Sequence, residues 1–170
     1  ESARQQAAPQ SPITERLTTA TSVLNDAIAD LRRNIGELHT VATNESLAVA
    51  LRRLAEDPRF QSMVDVKLSL DLPETDRLSP ERTEHVLAIV TEALSNVVRH
   101  ARAHQVLLEA ERIDGRLRLA LQDDGIGLPA AAIAGHGLLN MHDRARLLNG
   151  QIVIAGHAGK GTLVQLDIPR

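Results

Sequence analysis

The chain has 170 residues and a mass of 18.4 kDa, with 43 % hydrophobic residues. That is enough for one ordinary domain, alone or with a helical appendage, and too apolar for wholesale disorder. A net charge of −3 and a single aromatic residue, Phe60, exclude a general nucleic-acid or anionic-membrane binder, because nothing attracts phosphates broadly and no platform stacks bases.

Absence of cysteine removes disulfides and thiolate metal sites. No apolar run approaches the ~18 residues of a membrane span and no signal peptide is visible, so the chain reads as a soluble piece.

In chain order, residues 1–12 carry Pro, Gln and Ala without periodicity and read as a disordered lead-in. From Ile13 the pattern is helical, with Leu17, Leu24, Leu31 and Leu38 every seven residues and Thr14, Thr21, Ile28 and Ile35 at the companion position. Such a seam suits a coiled coil, although an amphipathic helix packed on its own domain has the same signature. A second helix is expected over Glu45–Ala55, ended by Asp57-Pro58, and alternation over Val64–Leu70 predicts a strand. Ser79-Pro80-Glu81 is a helix start, with a capping hydroxyl, a proline in the first turn and an acid at the positive end of the dipole. That helix is expected to reach Ala101. Val106–Arg112 and Arg116–Gln122 form a hairpin around Asp114-Gly115. A helix over Leu138–Leu148, closed by Asn149-Gly150, precedes strands at Gln151–Ala155 and Thr162–Ile168. Mixed rather than alternating elements imply an α+β fold with one layer of helices on one sheet.

Three places break the hydrophobic pattern. At about 100° per residue, Val86, Leu87, Val90, Ala93, Leu94, Val97 and Val98 fill one arc of the helix after Ser79. Glu92, Asn96, Arg99 and His100 form a separate stripe. Those groups suit a hydrated Mg²⁺ and its phosphates, since this ion keeps waters and needs few protein oxygens; a solvated charged face is the other reading. Strand parity then puts Asp123 on the same side as Leu117, Leu119 and Leu121. A carboxylate aimed at a core is costly unless something donates to it, and an adenine amino group would do so. Gly125 and Gly127 follow, allowing positive φ and close approach to a flat ligand, although an Asp-Asp-Gly turn is common. Finally, Gly135-His136-Gly137 opens a helix and offers free N–H groups to a phosphate, and Gly159-Lys160-Gly161-Thr162 is a glycine turn leading into a strand. His100 and His104 have the spacing of a zinc pair but lack a third ligand.

Taken in order, EALSNVVRHA (92–101), DDGIG (123–127), GHGLLNM (135–141) and GKGT (159–162) resemble the N box and glycine boxes of the GHKL ATPases. That superfamily includes DNA gyrase, the ninety-kilodalton heat-shock chaperone, mismatch-repair ATPases and histidine kinases. The basic-His-Ala ending of the first motif and Arg144-Ala145 after the third resemble the sensor histidine kinases that pair with NarL-type response regulators, the nitrate-sensor and DesK-like branch. The resemblance covers about Leu47–Pro169. It implies a two-layer α/β sandwich with a mixed sheet covered by helices, preceded by a coiled-coil-like helix.

The resemblance also implies roles. Asn96 would coordinate Mg²⁺, while Glu92 would hold a metal-bound or attacking water or act as a base. Arg99 and His100 would neutralise the phosphates of ATP. Asp123 would accept from the adenine amino group, with Gly125 and Gly127 shaping the pocket floor. Gly135, Gly137 and Leu138 at the helix start would complete the ATP site, the glycines cradling phosphates, and Thr162 would support the adenine side. Residues Leu128–Ala134 leave room for only a short lid, and the phenylalanine-bearing box of many histidine kinases is absent.

The expected whole is the catalytic domain (44–170) of a two-component sensor histidine kinase, with part of its dimerisation helix region (13–43). Its expected partners are a second copy, through Leu31 and Leu38 of the N-terminal helix, and a NarL-type response regulator. Nucleic acid is not expected, and a membrane only through a sensor region outside this chain. An anti-sigma-factor-like serine kinase and a degenerate nucleotide-binding switch are the alternatives. The acceptor histidine is expected to be missing: His39 is followed by Thr rather than an acid, and His142-Asp143 lies after the Gly-rich turn.

Overall fold

In the computed structural model, residues 45–128, 136–156 and 159–169 are described. The heptad helix, His39, Gly135 and the lid beyond Leu128 lie outside them, as do the expectations placed there.

Among the described residues, two short helices come first. Helix α1 (Leu47–Ala55) is capped by Ser46, whose hydroxyl accepts from the Val49 N–H, and it buries Leu47, Ala48, Ala50, Leu51 and Ala55. Asp57-Pro58, expected only to end α1, also starts helix α2 (Pro58–Gln61), with Asp57 as cap and the proline in the first turn. Phe60 of α2 is buried. Strand β1 (Asp65–Asp71) follows. The long helix α3 (Pro80–Asn96) starts at Ser79, which accepts from the Arg82 N–H as its motif predicts. Strands β2 (Gln105–Ile113) and β3 (Arg116–Asp123) form the expected hairpin. Its turn residues Asp114 and Gly115 have φ of 51° and 78°, the left-handed pair a two-residue hairpin demands. Helix α4 (His136–Leu147) leads through Asn149 at φ 52° into β4 (Gln151–Gly156), and β5 (Thr162–Ile168) ends the fold.

The five strands lie in the order β1-β2-β3-β5-β4, with β1 parallel to β2 and every other pair antiparallel. The parallel pair requires a crossover, and α3 lies within it. Alternate residues of the central strands, among them Val106, Leu108, Leu117, Leu119, Leu121, Val164, Leu166 and Ile168, are buried in one cluster with Val86, Ile89, Val90 and Leu94 of α3 and Met141 and Ala145 of α4. The sheet thus has one face under helices, the α+β sandwich expected from the mixed order of elements. Each fully buried aliphatic side chain contributes roughly 1.5–3 kcal/mol.

The β1–α3 loop is fixed by a forked pair: Arg112 Nε and Nη2 donate to the two oxygens of Asp76 at 2.7 and 2.9 Å. This loop in turn holds α1, because the Leu47 N–H donates to the Asp76 carbonyl at 3.1 Å.

Candidate nucleotide site

The inward parity of β3 holds to its last residue. Asp123 is 3 % exposed, on the face of Leu119 and Leu121, while Gln122 and Asp124 on either side are exposed. Its Oδ1 accepts from the Gly125 N–H at 2.8 Å. No other hydrogen bond reaches this carboxylate among the described residues. A carboxylate can accept several hydrogen bonds, so its acceptor capacity is far from filled.

Around Asp123, three segments remote in sequence are joined through their main chains. The Ile126 N–H donates to the Ala101 carbonyl at 2.9 Å, the Gly161 N–H to the Gly125 carbonyl at 2.8 Å, and the Gly159 N–H to the Ile126 carbonyl at 3.0 Å. Glycine is needed here for two different reasons. Gly127 and Gly161 have φ of 79° and 76°, which L side chains rarely adopt. Gly125 does not have positive φ, contrary to expectation; there a Cβ would overlap the Ala101 carbonyl oxygen and sit 2.8 Å from Asp123 Oδ1. A Cβ on Gly161 would overlap the Asp123 carbonyl. Thr162 follows directly, half-buried at the start of β5 and paired with Gly156.

The helix carrying the other motif does not end as a regular α-helix. Val97–Ala101 is a π-helical turn, closed by Arg102 in the left-handed region at φ 52°. A π turn inserts a residue into the helical ladder, so the wheel drawn at constant pitch loses phase after Asn96. Glu92 departs from the expected separate polar face: it is 7 % exposed, near Ile89 and Ala93 of the core. Its carboxylate lies against the first turn of α4, where a Cβ on Gly137 would overlap Oε1 and sit 3.0 Å from Cδ. Asn96 is half-buried and its amide makes no hydrogen bond among the described residues, while Arg99 and His100 are exposed on the π turn. Leu138 packs on the core from α4. Arg144 Nη1 is 3.3 Å from His85 Nδ1 on α3, tying the two helices together. His142 is exposed on α4.

One contributor was not foreseen. Asp124 Oδ1 accepts from the N–H groups of His104 and Gln105 at 2.8 and 3.0 Å, and the Asp124 N–H donates to the Gln105 carbonyl at 3.2 Å. Those backbone donors hold the Asp124 carboxyl below the usual aspartate range. It clamps the exit of the π turn to the end of β3, directly beside Asp123. Strand parity signalled it, since consecutive acids on a strand face opposite ways.

Among the described residues no three of His, Asp and Glu gather as a metal cage. A half-buried amide with no partner beside a buried carboxylate fits a Mg²⁺ that keeps waters and is shared with substrate phosphates.

The family model described as Histidine kinase-, DNA gyrase B-, and HSP90-like ATPase matches residues 81–170, just over half the chain. The Nitrate/nitrite sensor protein NarX of Escherichia coli is 33 % identical over 153 residues, 88 % of this chain and 25 % of that protein. The Sensor protein NarQ homolog of Haemophilus influenzae is 30 % identical over 149 residues, covering 86 % and 26 %. A histidine-protein kinase/phosphatase, UhpB of Salmonella typhimurium, is 33 % identical over 143 residues, covering 82 % and 28 %. The chain thus spans about a quarter of the length of these curated relatives. Among solved structures, the blue-light activated histidine kinase of Erythrobacter litoralis has a TM-score of 0.71 at 21 % identity, over 96 % of this chain and 62 % of that one, a likeness of fold. On the family match and the site geometry together, this chain belongs to the histidine kinase-, DNA gyrase B- and HSP90-like ATPase family.

Proposed function

We propose that residues 44–170 are the ATP-binding catalytic domain of a two-component sensor histidine kinase of the NarL-partner branch. The observation that carries this reading is the buried Asp123 carboxylate, with spare acceptor capacity, at the meeting point of three segments, two of them glycine-bearing. Relatives whose names are those of nitrate sensors and of a histidine-protein kinase favour a histidine acceptor over a serine.

In this reading Asp123 accepts from the adenine amino group and excludes bases without a donor there, since the unpaired buried acceptor would then lose its partner. Gly125, Gly127 and Thr162 line the same end. Asn96 would hold a magnesium ion, which when bound supplies positive charge to the phosphates. Arg99 and His100, exposed on the π turn, neutralise the phosphate oxygens as charge shifts toward the leaving group. The main-chain N–H of Gly137, in the first turn of α4, would do so too, and Gly135 would share that role by its motif alone. Transfer breaks the bond between the γ-phosphorus and the bridging oxygen and forms a phosphorus–nitrogen bond at the acceptor imidazole, leaving ADP. Glu92 takes the proton that the imidazole sheds. The protein's work is positioning and charge stabilisation.

The N-terminal region (13–43) would form a homodimer through its leucine seam, and a NarL-type response regulator would receive the phosphoryl group. The domain sits on the cytoplasmic side in this scheme; no helix among the described residues is long and apolar enough to cross a membrane. The test is incubation with radiolabelled ATP, Mg²⁺ and a dimerisation fragment bearing an acceptor histidine. Acid-labile label on that fragment is expected. Acid-stable label would establish a serine kinase, and ATP binding without transfer a nucleotide-operated switch.

A further inference from the structure

We infer that Gly137 is the seat of the Glu92 carboxylate, and so a positioning residue for phosphoryl transfer, in addition to the phosphate contact expected of its N–H. The inference rests on the proposed kinase reading for its catalytic consequence, but the seat itself is a property of the free chain.

Helix α4 is 12 residues long and Gly137 is its second residue, in an ordinary helical conformation without positive φ. Backbone freedom therefore does not require glycine there. Alanine at such a place ordinarily raises stability, because glycine has more conformational freedom to lose on folding. What prevents a side chain is occupancy. The space a Cβ would take is filled by Glu92 Oε1 and Cδ, and only the more remote Cγ, at 3.6 Å, lies at ordinary contact distance. Glu92 is 7 % exposed, so its carboxylate cannot swing into water without rearranging its surroundings. An anion here is also favoured by the positive end of the α4 dipole. The carboxylate thus touches the start of one helix from the body of another, and each fixes where the other lies. At Gly125, by contrast, the closest atom to an added Cβ is a main-chain carbonyl oxygen, which cannot yield as the end of a side chain can.

Because the space is already filled, the sign of one substitution depends on another. In the parent, Gly137→Ala must push the Glu92 carboxylate aside. The melting temperature of the nucleotide-free chain is expected to fall by a few degrees, and the transfer rate constant about tenfold or more, with KM for ATP changed only a few-fold. In a Glu92→Asp background the acid is one methylene shorter and the Cβ has room. There Gly137→Ala is expected to leave the melting temperature unchanged or raise it, and to cost little further rate beyond what Glu92→Asp already lost. A Glu92→Ala background serves as a second version of the same cycle. Equal changes in melting temperature from Gly137→Ala in all backgrounds would overturn the seat. A rate loss expressed wholly in KM would show that Gly137 serves only the phosphates, and would overturn the positioning role. Failure of the parent to bind ATP or transfer phosphate would defeat the kinase reading alone, since the melting cycle is read without nucleotide.

Discussion

The adenine and phosphate sides of the candidate site are built by different means. Around Asp123 the three segments are joined carbonyl to amide, and glycines stand where a Cβ would strike main chain. Around Asn96 the polar groups are side chains on the end of a helix and its π turn, several of them exposed and without hydrogen bonds among the described residues. A main-chain scaffold is set once the chain folds, whereas exposed side chains gain their geometry from what binds them. Substitutions at the glycines of the first side should therefore cost stability and binding together, and on the second side should cost binding in proportion to the ligand's charge.

The largest expected effect is at Gly161. Gly161→Ala incurs both the positive φ and an overlap with the Asp123 carbonyl, and should lose about 3 kcal/mol or more of stability. Gly159 is its control, with φ of 73° and nothing within 4 Å of an added Cβ; Gly159→Ala should cost only about 1 kcal/mol. Urea unfolding measures both. Equal losses would mean that backbone conformation alone, and not close approach, selects glycine in this turn.

Asp123→Asn and Asn96→Ala separate the two sides at the level of ligand. The first is isosteric, should leave unfolding nearly unchanged, and should weaken ATP binding by about 100-fold, as expected when a charge-assisted acceptor worth roughly 2–3 kcal/mol becomes a poorer one. Calorimetry should find that loss in magnesium and in chelator alike. Asn96→Ala should weaken binding about tenfold in magnesium, corresponding to ~1.4 kcal/mol, and little in chelator. Matching losses under both conditions would place Asn96 away from the metal.

How much of this was legible beforehand follows from which interactions are local. Capping at Ser79, the Asp114-Gly115 turn and the inward parity of Asp123 depend on neighbours along the chain, and all three are seen. The π turn was not legible, because the Ala101 carbonyl is satisfied by Ile126, a partner some two dozen residues away. Burial of Glu92 was missed for a similar reason: a wheel shows which residues share a face, not that another helix presents a glycine to it. Gly125 was expected to allow positive φ and close approach to a flat ligand; its φ is not positive, and what approaches closely is a carbonyl from a remote segment. Helix α2 was overlooked because Asp-Pro serves equally as a stop and a start.

The smallest effect sharpens the division between the adjacent acids at the end of β3. Asp124 is exposed yet accepts from two backbone N–H groups, which hold its carboxyl below the ordinary range. Its folded pKa thus lies under its unfolded one, and the unfolded chain binds the proton more readily in acid. The stability this group contributes is complete above the unfolded aspartate value of ~3.9 and is lost as pH falls through the lower folded value. Asp124→Asn keeps an oxygen acceptor for His104 and Gln105 but cannot titrate. Urea midpoints measured at neutral pH and near pH 3 should therefore converge for parent and variant on the acid side, with the parent ahead only at neutral pH. ATP affinity at neutral pH should change less than twofold, since Asp124 faces away from Asp123. A large affinity loss would mean that the clamp at the π-turn exit, and not the main-chain junction alone, sets the shape of the adenine side.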